Sequence, residues 1–142
     1  MKMTEAQVRG YLNRAYRAKE MIGSMQEELL HLQELAELTA GMETGGREDS
    51  LMAQIIEKER RQKGRIAEYL EAVEQVQEVI ESVENPDYKT ILRMRYLNFK
   101  PWDEVARALH FSNVWVYHLH KRALTAVGNA ITKLEKQRVL IS

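Results

Sequence analysis

Apolar side chains near the start of the chain recur at alternating intervals of three and four, at Val8, Tyr11, Ala15, Ala18, Ile22, Met25, Leu29, Leu32 and Ala36. A strand repeats every two residues and a loop keeps no period, so this stripe is the seam of a coiled-coil-like helix. The rule returns at Met52, Ile55, Glu59, Gln62, Ile66, Tyr69, Val73, Val76, Ile80 and Val83. Two seams of equal length joined by the glycine-containing stretch GMETGGRED predict an antiparallel helical hairpin. Its helices should run to about 37 and 36 residues, roughly 55 Å each at 1.5 Å per residue.

Local signals mark the ends. Thr4-Glu5-Ala6-Gln7 has the spacing of a capping box, in which the Thr hydroxyl and the Gln side chain satisfy open amides at a helix start. Gly41 is the expected terminator of the first helix, and Asp49 or Ser50 the expected cap of the second. Gly23-Ser24 interrupts good helix formers and suggests a bend. Polar Glu59 and Gln62 at one end of the seam, and small Ala15 and Ala18 at the other, suggest looser packing or a seam completed by another chain.

Asn85-Pro86 closes this region, since proline disfavours helix at the residue before it. The charge changes at the same place. Residues 1–85 carry 11 Lys/Arg against 17 Asp/Glu, a balance of −6, and residues 86–142 carry 10 against 4, a balance of +6. We therefore divide the chain into a hairpin segment, 1–85, and a basic module, 86–142, whose charge calls for a polyanionic or acidic partner. With no Cys in the chain, disulfide frameworks and thiolate metal sites are excluded. No apolar run reaches the length of a membrane span and none follows Met1-Lys2-Met3, so the expectation is a soluble, cytoplasmic protein without a membrane partner.

Within the basic module, Asp87 should cap a helix of about 87–97, which the sequence Asn98-Phe99-Lys100 ends. Pro101 suits the first turn of the next helix, and Asp103 and Glu104 complement the positive end of its dipole. Val105, Ala106 and Leu109 share one face of that short helix, and Ala106 is small where a neighbour must cross closely. Ser112 then caps a further helix that the apolar pattern carries to about 137. Two helices joined by a turn of about three residues form a helix-turn-helix, whose second helix is presented to the DNA major groove.

Angular position around that second helix separates core from reader. At 100° per residue Val116, Leu119 and Ala123 gather on one side, while Val114, Tyr117, His118, Lys121 and Thr125 lie opposite, with Asn113 at the exposed start. The outward group supplies a cation, hydrogen-bonding side chains and an apolar contact for a thymine methyl. Arg122 on the flank, with Arg93, Arg95, Lys100 and Arg107, is placed to meet phosphate, Arg95 being the one most suited to a structural role. Trp102 is expected to pack in the core or beside the phosphate contacts, and Trp115 to serve as a flank, a stacker or a protein contact. The stripe runs on through Val127, Ala130 and Leu134, beyond what a compact module covers. It must therefore lie on its own hairpin or on a second copy, with Gly128 as a point of bending.

The four histidines do not assemble a metal centre. His118 and His120 stand about 160° apart on a helix of 100° per residue, His110 lies in the turn and His31 on a remote helix. The sequence contains no glycine-rich phosphate loop and no nucleophile-base pattern, so neither an enzyme nor a cofactor is expected.

Residues 88–124, YKTILRMRYLNFKPWDEVARALHFSNVWVYHLHKRAL, resemble region 4 of sigma-70-type transcription factors. The matching positions are Leu92, Arg95, Tyr96, Glu104, Val105, Ala106, Leu109, Ser112, Val116, Leu119, Ala123 and Leu124. Where that family is commonly rich in Arg and Glu just after the serine, this chain has Asn113, Val114 and Trp115. Together with the coiled N-terminal segment, the module is similar to small phage or prophage sigma-region-4-like proteins near the ArpU-like and RinA-like late-gene regulators. The resemblance implies an all-α DNA-binding transcription regulator with duplex DNA, and RNA polymerase, as partners. Asn113, Val114, Tyr117, His118, Lys121, Arg122, Arg107 and Lys100 are the expected DNA contacts. A homodimer or other homo-oligomer is expected, because two half-sites multiply a modest single-module affinity. Two alternatives come from other classes: a small terminase-like packaging or scaffold protein driven by its long helices, and an adaptor whose helix-turn-helix binds only protein.

Overall fold

The computed structural model of the chain describes residues 2–40 and 47–141, all helical apart from short connections, with no strand among them. Helix α1 spans Glu5–Ala40 and α2 spans Arg47–Glu81. Helix α3, Pro86–Leu92, runs directly into a π-wound turn, Arg93–Leu97, and is followed by α4, Trp102–Leu109, and α5, Asn113–Ile141. The expected Gly41 terminator and most of the glycine-containing connection lie outside the described residues.

Thr4 and Gln7 form the capping box in full: the Thr4 amide donates to Gln7 Oε1 at 2.9 Å and the Gln7 amide to Thr4 Oγ1 at 3.2 Å. Helix α2 is already helical at Arg47, so Asp49 and Ser50 sit inside its first turn rather than capping it. Helix α3 is capped by Asn85, not Asp87. Asn85 is extended, and its Oδ1 accepts from the amides of Asp87 and Tyr88 at 3.0 and 3.2 Å. Proline at position 86 explains the shift. It forces Asn85 out of helical backbone and itself needs no amide partner as first helical residue. Pro101, expected in the first turn of α4, is instead the extended residue before it, and α4 begins at Trp102. Helix α5 continues past residue 137 to Ile141.

The chain packs as two compact units. The first combines Met1–Arg17 with Ala72–Ser142, so the packing boundary falls inside the long helices rather than at Asn85-Pro86, where the charge changes. Its main core joins Val8, Leu12 and Ala15 of α1, Val76, Val79, Ile80 and Val83 of the α2 end, and Leu92, Tyr96, Ala123, Leu124, Val127 and Ile131. The α5 stripe is thereby covered by the chain's own first and second helices, with Ala130 and Leu134 packed at its edge. Ala15 is fully buried in this core, so the small residues permit close approach instead of leaving a loose seam. Gly128 works likewise. A Cβ there would stand 3.3 Å from Val8 Cγ2, and α5 passes through it as unbroken helix. Arg14 adds a hydrogen bond to Gln75 at 3.0 Å, and Arg138 an ion pair to Glu78 at 3.4 Å.

The second unit, Ala18–Glu71, buries Ala18, Met25 and Ile55, with Ile22, Leu29, Leu32, Ala36, Met52, Ile66 and Tyr69 half-buried on the expected seam. Gln62 donates to Glu28 across it. Helix α1 is continuous through Gly23-Ser24. Among the described residues no helix is long and apolar enough to cross a membrane.

Candidate nucleic-acid interface

The turn between α4 and α5 is held from both sides. His110 adopts left-handed backbone, φ 58° and ψ 36°, as the residue that ends α4. Its amide donates to Arg107 O at 3.2 Å, and the Phe111 amide reaches back to Ala106 O at 3.0 Å, the paired bonds of a Schellman motif. Ser112 Oγ then accepts from the Trp115 amide at 3.1 Å and starts α5. Beneath this turn Ile91, Val105, Ala106, Val116 and Leu119 form a second core cluster, edged by Tyr88, Met94, Trp102, Leu109 and Phe111. Ala106 is buried in this cluster beside Val116 and Leu119 of α5.

With Val116 and Leu119 fixed inward, the opposite side of α5 faces solvent. Asn113, Val114, Tyr117, His118, Lys121, Arg122 and Thr125 are all exposed, Val114 at 66% and Tyr117 at 51%. Large apolar groups left this open on a rigid helix are where contact with another molecule is expected. Lys121 Nζ stands 5.2 Å from the Tyr117 ring centre and the Arg122 guanidinium 6.0 Å from that of Trp115. Rings so placed restrain two cations in cation–π contact without neutralising them. From Asn113 to Leu134 the helix contains no acidic side chain.

The structure thus brings six of the eight expected contact residues onto one surface of α5. The other two stand on neighbouring segments: Lys100 in the connection before α4, 3.9 Å from Glu104, and Arg107 exposed in the last turn of α4. Arg93 is paired with Glu81. Arg95 has a structural task, donating to Lys100 O at 3.0 Å and lying over the Trp102 ring at 4.9 Å. Trp102 packs its ring 4.4 Å from that of His120.

The structure gathers around His120 a group of residues that the sequence does not bring together. His120 is buried, and its Nε2 is 2.7 Å from the Tyr96 hydroxyl. Burial, reinforced by the nearby Arg9 and Arg95 charges, pushes its pKa down to about 4, so the imidazole is neutral at physiological pH. Burial likewise raises the Tyr96 hydroxyl above its ordinary range. Beside this pair a cavity of about 420 Å³ is lined by Arg9 and Asn13 of α1, by Arg95, Tyr96 and Trp102, and by Asn113, Val116, Tyr117 and His120 of α5. The angular position of His120 announced that it faces inward; that α1 supplies Arg9 and Asn13 from more than eighty residues away had no local signal.

The fold and this surface define an all-helical protein that offers an exposed, carboxylate-free helix face on a rigid turn. The chain belongs to the family described as Protein of unknown function (DUF1492), whose family model matches residues 35–128, from the end of α1 to Gly128 in α5. No curated protein and no solved structure matches the chain.

Proposed function

We propose that this protein is a DNA-binding transcription regulator of the sigma-70 region-4-like kind, phage or prophage encoded. In this reading α4 and α5 are a helix-turn-helix, and α5 enters the major groove from its Asn113 end. The observation that carries the reading is the outward face of the first three turns of α5. It presents Asn113, Val114, Tyr117, His118 and Lys121 on a helix anchored by the Schellman turn and the Ser112 cap. Asn113 supplies an amide for a base edge, Val114 an apolar contact for a thymine methyl, and Lys121 a donor for guanine or phosphate. Arg122, Arg107 and Lys100 are the phosphate contacts that set register. Helices α1 and α2 are proposed to form a hairpin that serves self-association or contact with RNA polymerase.

The test is retention of the purified protein on a pool of random duplex DNA at two salt concentrations, followed by sequencing. Enrichment of a short motif, weakened by salt, is expected. Lys121→Ala should reduce binding to the enriched motif more than binding to bulk DNA, by about 1–3 kcal/mol for a base contact. Loss of no affinity for either DNA would remove α5 from the groove.

A second reading, a terminase-like packaging or scaffold protein, draws on one observation: Met21, Leu30, Leu35, Leu38, Ile56 and Leu70 are exposed in the second unit. Mass in solution separates the two, a ring of many copies favouring packaging and a monomer or dimer the regulator.

A further inference from the structure

The cavity beside His120 has the makings of a ligand site in its own right. Its volume, about 420 Å³, falls in the range of small-molecule pockets, and its walls combine aromatic rings with polar side chains. Four rings contribute to it: Trp102, His120, Tyr96 and Tyr117. Trp102 and His120 are tilted against each other at 4.4 Å, Tyr96 and His120 stack at 5.8 Å, and Tyr117 of α5 lines the same cavity. Because His120 is neutral, these walls are uncharged. Charge enters only through Arg9 and Arg95, and no carboxylate is among the lining residues.

Arg95 is held by neutral partners, whereas Arg9 is paired with a carboxylate, with which an incoming anion must share it. Arg95 is fixed by Lys100 O and the Trp102 ring. Arg9 is steadied by Glu5 at 2.7 Å through one terminal nitrogen, Nη2. A guanidinium is a planar fork of donors, suited to bidentate contact with a carboxylate or phosphate. The Asn13 amide adds a donor and an acceptor on the same wall.

We propose that this cleft binds a small planar aromatic anion, a ring system carrying one carboxylate or one phosphate. The ring lies against Trp102 and His120, and the anion meets Arg9 and Arg95 with Asn13 beside it. Asn113 and Tyr117 line the cleft and are also DNA contacts under the functional reading above, but the ring and anion contacts proposed here use neither. The cleft needs only the first unit, in which all nine lining residues lie.

The experiment is isothermal calorimetry on the full chain with four probes: adenosine monophosphate, adenosine, benzoate and benzamide. Trp115→Phe leaves Trp102 as the sole tryptophan, so quenching of its fluorescence reports occupation of the cleft directly. Saturable binding by the phosphate or the carboxylate, at least about tenfold tighter than by its neutral partner, is expected from charge-assisted guanidinium contact. Which anion saturates first identifies the source chemistry. Arg9→Ala should weaken that binding by about tenfold or more with helicity unchanged, since Arg9 is close to half exposed and outside the core. Neutral probes binding as well as the anions, an Arg9→Ala affinity equal to that of the parent, or failure of every probe to saturate in the millimolar range would each overturn the proposal. None of these outcomes bears on whether the protein retains DNA.

Discussion

His120 is the residue whose chemistry the fold alters most. An exposed histidine takes up a proton near pH 6.5, whereas this one, buried against Tyr96 and Trp102 and facing Arg9 and Arg95, resists until about pH 4. The unfolded chain therefore binds the proton first. Stability from the neutral imidazole is complete above pH 6.5 and is lost as pH falls through the window from 6.5 to about 4, an effect of about 3 kcal/mol over the whole range. Urea denaturation of the parent and of His120→Gln at several pH values checks it. The carboxylates titrate alike in both chains, so the difference in unfolding free energy should shrink toward acid. A difference constant with pH would mean that the imidazole is not held neutral. Tyr96→Phe is a companion: with no hydroxyl to meet the buried His120 Nε2, a loss of about 1–3 kcal/mol is expected at neutral pH.

At the level of elements, two non-glycine residues end helices in left-handed backbone, Phe99 at φ 56° and His110 at φ 58°. That conformation costs an L-residue about 1–2 kcal/mol. At His110 the conformation positions α5, because the bonds from the His110 and Phe111 amides to Arg107 O and Ala106 O require it. His110→Gly should thus fold with equal or slightly higher stability, and His110→Val should lose about 1–2 kcal/mol in thermal denaturation. Close packing makes the opposite demand at Gly128, where a Cβ already meets Val8 Cγ2 at 3.3 Å. Gly128→Leu should cost about 1–3 kcal/mol through overpacking, read from the same melts. These elements also show what could be read from sequence. The long seams, the Thr4 capping box, the Ser112 cap and the inward and outward sides of α5 follow from side-chain period and local hydrogen bonding, and each stands where expected. Asn85 and Asp87 are both good caps by residue type, and Pro86 as the first helical residue is the sequence signal that decides for Asn85. The π turn at Arg93–Leu97 and the role of Gly128 depend on what packs against them, as does the contribution of Arg9 to the cleft; none has a local signature.

For the whole molecule, a formal charge of zero conceals opposite balances of −6 and +6 in its two sequence halves. An encounter with a polyanion is governed by the basic part, so the salt dependence of DNA retention counts the phosphates that it meets. Lys100, Arg107 and Arg122 are the cations assigned to phosphate under the proposed function, and Lys121 is a fourth where it meets phosphate rather than guanine. If all four engage, the logarithmic salt slope is about −3.6, and affinity falls on the order of 100-fold between 50 and 200 mM salt. A symmetric dimer engaging two half-sites doubles that slope, which couples the binding measurement to the mass in solution. A monomer should give a slope near the single-module figure, and a dimer one near twice it. In either case Arg107→Ala should flatten the slope by about one for each bound copy, leaving the enriched motif unchanged. Filter retention across a salt series, with mass from light scattering on the same sample, makes the comparison. A slope near zero in a chain that still folds would place the partner of the exposed α5 face among proteins rather than nucleic acids.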